Sequence, residues 1–157
     1  MSLGKNRNPL SLFITDNGAA IFGGKIEKDS NNAIYGQISF EKGVIDNGYI
    51  KEPKTMLEAL KSFWKKNRIK PRFVRLVIQD QNILVREFVI QKVDLDKKSI
   101  EEYFYNQFGK KFHVLFENPV ISYQIINETM LAYNVLLYIA DENLLQDYYD
   151  ILEHLGV

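Results

Sequence analysis

The chain has 157 residues, 18.3 kDa, and equal numbers of basic and acidic residues, 20 of each. With 46% hydrophobic and 13% aromatic residues it has the material for a buried core, and disordered, collagenous and low-complexity classes are excluded. It contains no cysteine, which removes disulfides, thiol catalysis and cysteine-bound metal centres and fits a reducing compartment.

The predicted elements begin with β structure. Leu10 to Thr15 is a short apolar run, and Asp16-Asn17-Gly18 is a tight-turn signal leading into a strand from Ile21 to Ile26. Asp29-Ser30-Asn31-Asn32 breaks the pattern. From Ala33 to Phe40 the alternation puts Ile34, Ile38 and Phe40 on one face and Tyr35, Gln37 and Ser39 on the other. Glu41-Lys42-Gly43 turns the chain into Val44 to Ile50, which Asp46-Asn47-Gly48 interrupts. The expectation is an antiparallel meander of three or four strands.

A helix follows, with Thr55 and Glu58 spaced as a capping box and an apolar stripe of Met56, Leu57, Leu60, Phe63 and Trp64. Pro71 closes the connection. Phe73 to Ile78 and Ile83 to Ile90 read as strands joined across Gln79-Asp80-Gln81-Asn82. A second helix starts at Ser99, capped with Glu102, carries Ile100, Tyr103, Phe104 and Phe108 inward and stops at Gly109. Val120 to Ile126 and Leu131 to Ala140 form a hairpin around Asn127-Glu128-Thr129. The last helix is capped by Asp141, carries Leu144, Leu145, Tyr148, Ile151, Leu152 and Leu155 at helical spacing, and has Gly156 in the position of a C′ glycine.

Charge is balanced in sum and uneven along the chain. Residues 1–111 hold all 20 Lys and Arg against 13 acids, a net of +7; residues 112–157 hold seven acids and no Lys or Arg, a net of −7. Either the two halves neutralise each other or they offer opposed docking surfaces, self-association included. No apolar run approaches the roughly 20 residues of a spanning helix, so membrane association is expected to run through a partner, without direct insertion.

Candidate chemistry is sparse. His113 and His154 have no ligand-spaced neighbour, so no metal site is expected. No nucleophile–base pair or Gly-x-Ser-x-Gly elbow is legible, and no catalytic residue is assigned. Glu101-Glu102 and Asp141-Glu142 sit at helix starts, where the dipole favours them structurally. Gly23-Gly24-Lys25 lacks the spacing and the following helix of a phosphate loop. Lys61, Lys65, Lys66, Arg68, Lys70, Arg72 and Arg75 cluster with Phe63, Trp64 and Phe73, either as a solvated helix face or as an acidic-partner or nucleic-acid surface. The stripe turns Leu60 and Trp64 inward, which favours the solvated face, and no nucleic-acid partner is expected.

One stretch carries a family resemblance. Lys42 to Ile50, with the helix Met56 to Trp64, is similar to the Gly-x-Val-x-x-Gly-x-Ile strand and Leu-x-x-Leu helix of the PilM family of type IV pilus assembly proteins, and more distantly to FtsA. Val74 to Ile78 and Ile83 to Ile90 resemble that family's paired strands, with Arg86 at its usual arginine. The resemblance covers the N-terminal half of the family. It implies an α+β fold: an actin-like, ribonuclease H-like first subdomain (9–82 and 141–157) with an inserted strand-helix-strand-strand module (83–140). It implies a non-enzymatic scaffold, cytoplasmic at the inner face of the plasma membrane. There it binds the N-terminal cytoplasmic peptide of a PilN-like protein in a groove between subdomain and module.

The resemblance assigns no individual groove residue, though some of Tyr103, Phe104, Tyr105, Phe108, Phe112 and Phe116 are candidates beside their role in the core. It also lays Asp16, Asn17 and Gly18 on the family's phosphate turn, with Ala19 and Ala20 in place of hydroxyls and Phe22 in place of a lysine. ATP and magnesium are then expected only in a longer form, and the rival reading is a fragment of an actin-like ATPase. A further strand and a second actin-like domain are expected to follow Val157. Met1-Ser2-Leu3 reads as a vector leader, or the chain is a natural truncation.

Overall fold

Strand β1 (Leu10–Thr15) is the organising strand of the first sheet, because its alternation buries Leu10, Leu12 and Ile14 and leaves Phe13 42% exposed. The computed structural model describes residues 10–23, 34–67 and 73–157. The break at Asp29 to Asn32, Gly24, Lys25, Arg68, Lys70, Pro71 and Arg72 lie outside the described residues.

Two compact units divide the chain: Met1–Gln79 with Gln146–Val157, and Asp80–Leu145. In the first, β1 pairs antiparallel with β2 (Gly18–Gly23), which pairs antiparallel with β3 (Ile34–Ser39). The Asp16-Asn17 turn closes the first hairpin, with Thr15 opposite Gly18. The meander has three strands. The stretch from Val44 to Ile50 leaves the sheet and folds on itself as β4 (Ile45–Asp46) and β5 (Tyr49–Ile50). Asn47 and Gly48 between them have φ of 51° and 80°, the left-handed pair that a two-residue turn of this hand demands.

Helix α1 (Pro53–Lys66) buries Met56, Leu60 and Trp64, as its stripe predicts. The capping box at Thr55 is corrected. The helix begins three residues earlier, with Pro53 in its first turn, Glu52 at the cap without a side-chain bond, and Met56 N donating to Glu52 O at 3.1 Å. Proline has no N–H to satisfy at that position and a φ already set for the helix, so it outweighs the Ser/Thr signal.

A second correction concerns pairing. Strand β6 (Val74–Val77) runs parallel to β1, with Leu12 opposite Leu76, giving the order β3-β2-β1-β6. Strand β7 (Ile83–Gln91) belongs to the other unit and pairs there, so the two consecutive strands do not pair with each other. A 3-10 turn at Asp80–Asn82 joins them. Alternation marks a strand but carries no label for its neighbour.

The second unit is built on the sheet β7-β9-β8, with β8 (Pro119–Glu128) and β9 (Ala132–Asp141) forming the expected hairpin and a bulge between Ile125 and Asn127. A four-residue helix α2 (Lys92–Leu95), too short to leave a periodic signal, follows β7 directly. Helix α3 (Ile100–Gln107) has the capping box read from sequence: Glu102 N donates to Ser99 Oγ at 3.1 Å and Ser99 N to Glu102 Oε2 at 2.8 Å. Its Ile100 and Phe104 join Ile90, Val135, Leu137 and Ile139 in the core. The chain then enters α4 (Glu142–His154), where Asp141 Oδ1 accepts from Asn143 N at 3.1 Å, and Tyr148, Ile151 and Leu152 are buried in the first unit. Gly156 has φ of 80°, as a C′ glycine does.

Candidate functional site

The Asp16-Asn17-Gly18 turn is held from three directions. Asp16 Oδ2 accepts from Asn47 N at 3.0 Å, and Oδ1 accepts from Gly48 N at 2.9 Å and from Gln79 Nε2 at 3.2 Å. Asn17 O accepts from Phe40 N at 2.9 Å, and Thr15 Oγ1 donates to Gly18 O at 3.1 Å. The far side of the β4–β5 turn is held by Tyr148, whose hydroxyl donates to Gly48 O at 2.6 Å. Burial first, then the Asp16 carboxylate and then Asp147, push the Tyr148 hydroxyl up to about 12.

Gly18 is required by space. A Cβ there would collide with the carbonyl oxygen of Ile38 on the adjacent strand. Two residues of the turn signal thus have a structural cause in their side chains, Asp16 through its bonds and Gly18 through space. A shallow cavity of about 280 Å³ adjoins the turn, lined by Thr15, Asn17, Gly18, Gln37 and Ser39 together with Phe13, Ala19, Ala20 and Ile38. Among the described residues its lining has hydroxyl and amide groups and no lysine or arginine. Ala20 and Phe22 stand on the same strand, with Phe22 45% exposed. The carboxylate of Asp16 faces backbone N–H groups, so the turn in this arrangement is a clasp joining β1, the β4–β5 turn and Gln79.

The remaining candidates separate. His113 is exposed, and His154 Nδ1 lies 2.6 Å from Asp150 O in the last turn of α4. Among the described residues no group of three His, Asp or Glu is placed to hold a metal, and no helix is long and apolar enough to cross a membrane. In the basic cluster, Lys61, Lys65, Lys66 and Arg75 are exposed, while Trp64 is buried and Phe63 packs edge-on against it at 6.0 Å. The aromatics that would stack on bases are thus turned inward on α1, with Phe73 exposed. The aromatic stretch of the second unit is mainly core: Phe104 is fully buried, Phe88 meets Phe104 at 5.3 Å and Phe112 at 4.6 Å, and Tyr103, Phe108 and Phe116 pack against them. Tyr105 stands 44% exposed, edge-on to Phe108 at 5.7 Å.

Sequence reasoning missed two features. Gln79, read only as a link between strands, is a partner of Asp16; nothing in its neighbours marks it. The other is a cavity of about 320 Å³ between α1, β5 and α4, lined by Ile50, Pro53, Leu57 and Ile151 with Asp147 and Asp150. The apolar stripes of both helices were legible, but not the gap between them.

No protein-family model matches the sequence, and no curated protein matches it. Solved structures do. The chain is similar to a structure described as the PilM-PilN type IV pilus biogenesis complex, with a TM-score of 0.73 at 14% identity, over 95% of this chain and 45% of that one. It is also similar to the cytoplasmic domain of EpsL, an inner membrane component of the type II secretion system of Vibrio cholerae, with a TM-score of 0.53 at 11% identity, over 96% and 54%. The chain spans about half the length of each. At such identities the likeness establishes the fold, which is α+β of the actin-like type.

Proposed function

We propose that the chain is a cytoplasmic actin-like scaffold of a type IV pilus or type II secretion machine, and that it binds the cytoplasmic tail of an inner-membrane component. The observation that carries this reading is the fold correspondence over 95% of the chain with a protein solved as a PilM-PilN complex. The engaged carboxylate of Asp16, and a cavity beside it that holds no lysine or arginine among the described residues, favour a structural turn over a phosphate site. In this reading the chain works by holding partners, and no side chain is assigned to catalysis.

A scaffold of this kind takes an extended tail through main-chain hydrogen bonds or apolar anchors in a groove. The test is a calorimetric titration of the chain with the N-terminal cytoplasmic peptide of the membrane-anchored pilus or secretion protein encoded beside it. A dissociation constant on the order of micromolar, about −8 kcal/mol, is the expected result. Absence of heat from a folded chain, repeated with the longest native form, would overturn the reading.

A further inference from the structure

The cavity between α1, β5 and α4 takes no part in the clasp at Asp16, and its two helical walls carry opposite charge. Lys54 stands on the α1 wall and Asp147 and Asp150 on the α4 wall, while Ile50, Leu57 and Ile151 give the lining its apolar part. The helices extend this contrast. At 3.6 residues per turn, the exposed Lys61 and Lys65 fall on the same face of α1 as Lys54, with Glu58 as the single acid of that helix. Helix α4 carries a further exposed acid in Glu153 and no lysine or arginine. Its His154 is turned to its own helix, with Nδ1 2.6 Å from Asp150 O. Among the described residues Lys54 and Asp150 form no ion pair. Asp150 Oδ1 accepts from Gln146 Nε2 at 2.7 Å, and Oδ2 has no bond among them. A cation and a carboxylate thus share one cavity without meeting.

Such a lining discriminates by chemistry. A ligand of one sign is drawn to one wall and repelled by the other. Both walls attract only a molecule that carries both signs, and the apolar surface favours one with a hydrocarbon body. The volume of about 320 Å³ lies at the low end of ligand pockets, which begin near about 300 Å³, and that limits the occupant to amino-acid size. We propose that this cavity binds a free aliphatic amino acid of the leucine type. Its carboxylate faces Lys54, its ammonium faces Asp150, and its side chain lies against Leu57 and Ile151. A second copy of the chain also bears both signs, but it bears them on helices about 10 Å across, too wide to enter a hollow of this size. The assignment stands on the lining alone and does not depend on the pilus or secretion function.

The experiment is a titration of the full ¹⁵N-labelled chain, followed by amide shifts, with leucine and three matched probes. Isocaproate is leucine without its ammonium, isoamylamine is leucine without its carboxylate, and glycine lacks the hydrocarbon body. Leucine is expected to move Leu57 and Ile151 with a dissociation constant on the order of millimolar. It should bind about three- to fivefold more tightly than isocaproate or isoamylamine, the factor that one exposed ion pair supplies. Glycine should bind at least about tenfold more weakly than leucine. Lys54→Met, at an exposed position, removes the advantage of leucine over isoamylamine and keeps its advantage over isocaproate; Asp150→Asn does the reverse. A change that merely loosened the fold would weaken all probes alike. Equal affinity for leucine and either truncated probe, or no shift at Leu57 and Ile151, overturns the proposal. Shifts at these two residues on raising the protein concentration alone would put a second copy in the hollow and overturn it as well.

Discussion

Asp16 offers two carboxylate oxygens to two backbone N–H groups and one side-chain amide, and those partners lie 31, 32 and 63 residues away in sequence. Asp16→Ala leaves these donors without their acceptor. Hydrogen bonds to a charged group are worth roughly 1.5–3 kcal/mol, so urea unfolding should show a loss of about 2–3 kcal/mol. If the turn is only a clasp, millimolar Mg-ATP leaves the melting temperature of the chain unchanged. A rise that Asp16→Ala abolishes would make it a phosphate site instead. Gly18 and Gly36 test the close approach of strands. A methyl on Gly18 meets backbone, whereas one on Gly36 meets the far end of the half-buried Phe63 side chain, which shifts more cheaply than backbone. Gly18→Ala should therefore cost more than Gly36→Ala, about 2–3 kcal/mol against about 1. Tyr148 gives a signature in pH. Its hydroxyl, raised from 10 to about 12 in the folded chain, stays protonated where the unfolded chain ionises. The folded state then holds more protons, and stability falls as pH rises from 10 toward 12. Below pH 10 this contribution is constant. Tyr148→Phe loses the bond to Gly48 O, costing about 1 kcal/mol at neutral pH, and its stability curve is flatter over the same alkaline interval.

Helix ends behave as local chemistry and can be compared directly. Ser99 closes a full capping box on α3, and Ser99→Ala should cost about 1 kcal/mol. Thr55 lies inside α1, exposed and without a capping bond, so Thr55→Ala should stay within about 0.5 kcal/mol. Thermal or chemical denaturation of the two variants decides between a cap at Glu52 and one at Thr55. Helix identities were legible because their stripes and stops lie within a dozen residues of each other: Met56, Leu60 and Trp64 are buried as read, and Gly109 ends the α3 segment with φ of 74°. Strand identities were legible for the same reason. Strand partners were legible in the meander and in the β8–β9 hairpin, but not for β6 and β7. Two strands separated by four residues look like a hairpin, yet β6 joins β1 in parallel and β7 joins β9, because the choice depends on which apolar face each completes. Helix α2 escaped notice because four residues make barely one turn.

Each unit carries its own apolar core, and the single tryptophan of the chain, Trp64, is buried in the first. Its fluorescence therefore reports on that unit, while far-UV circular dichroism reports on both. Phe104, fully buried among Phe88, Phe112 and the sheet of the second unit, is the residue to remove. Phe104→Ala should destabilise that core by about 3–5 kcal/mol. The expected result is that dichroism is lost at lower denaturant than the Trp64 signal, so that the two transitions part. A single shared transition in the variant would show one cooperative unit.

Composition, periodicity and punctuation determined that this chain has an α+β core, three helices with their stripes, and a turn at Asp16-Asn17-Gly18, because each of these depends on residues close in sequence. The family resemblance added the actin-like fold, which the structural correspondence bears out. Only the tertiary structure decided what Asp16 is bonded to, why Gly18 has no side chain, that β6 joins β1 and β7 joins β9, and where a hollow opens between α1 and α4. Those facts join residues 20 to 100 positions apart, from Gly18 and Ile38 to Gly48 and Tyr148. Such contacts are set by the packing of whole faces, and no local pattern encodes them.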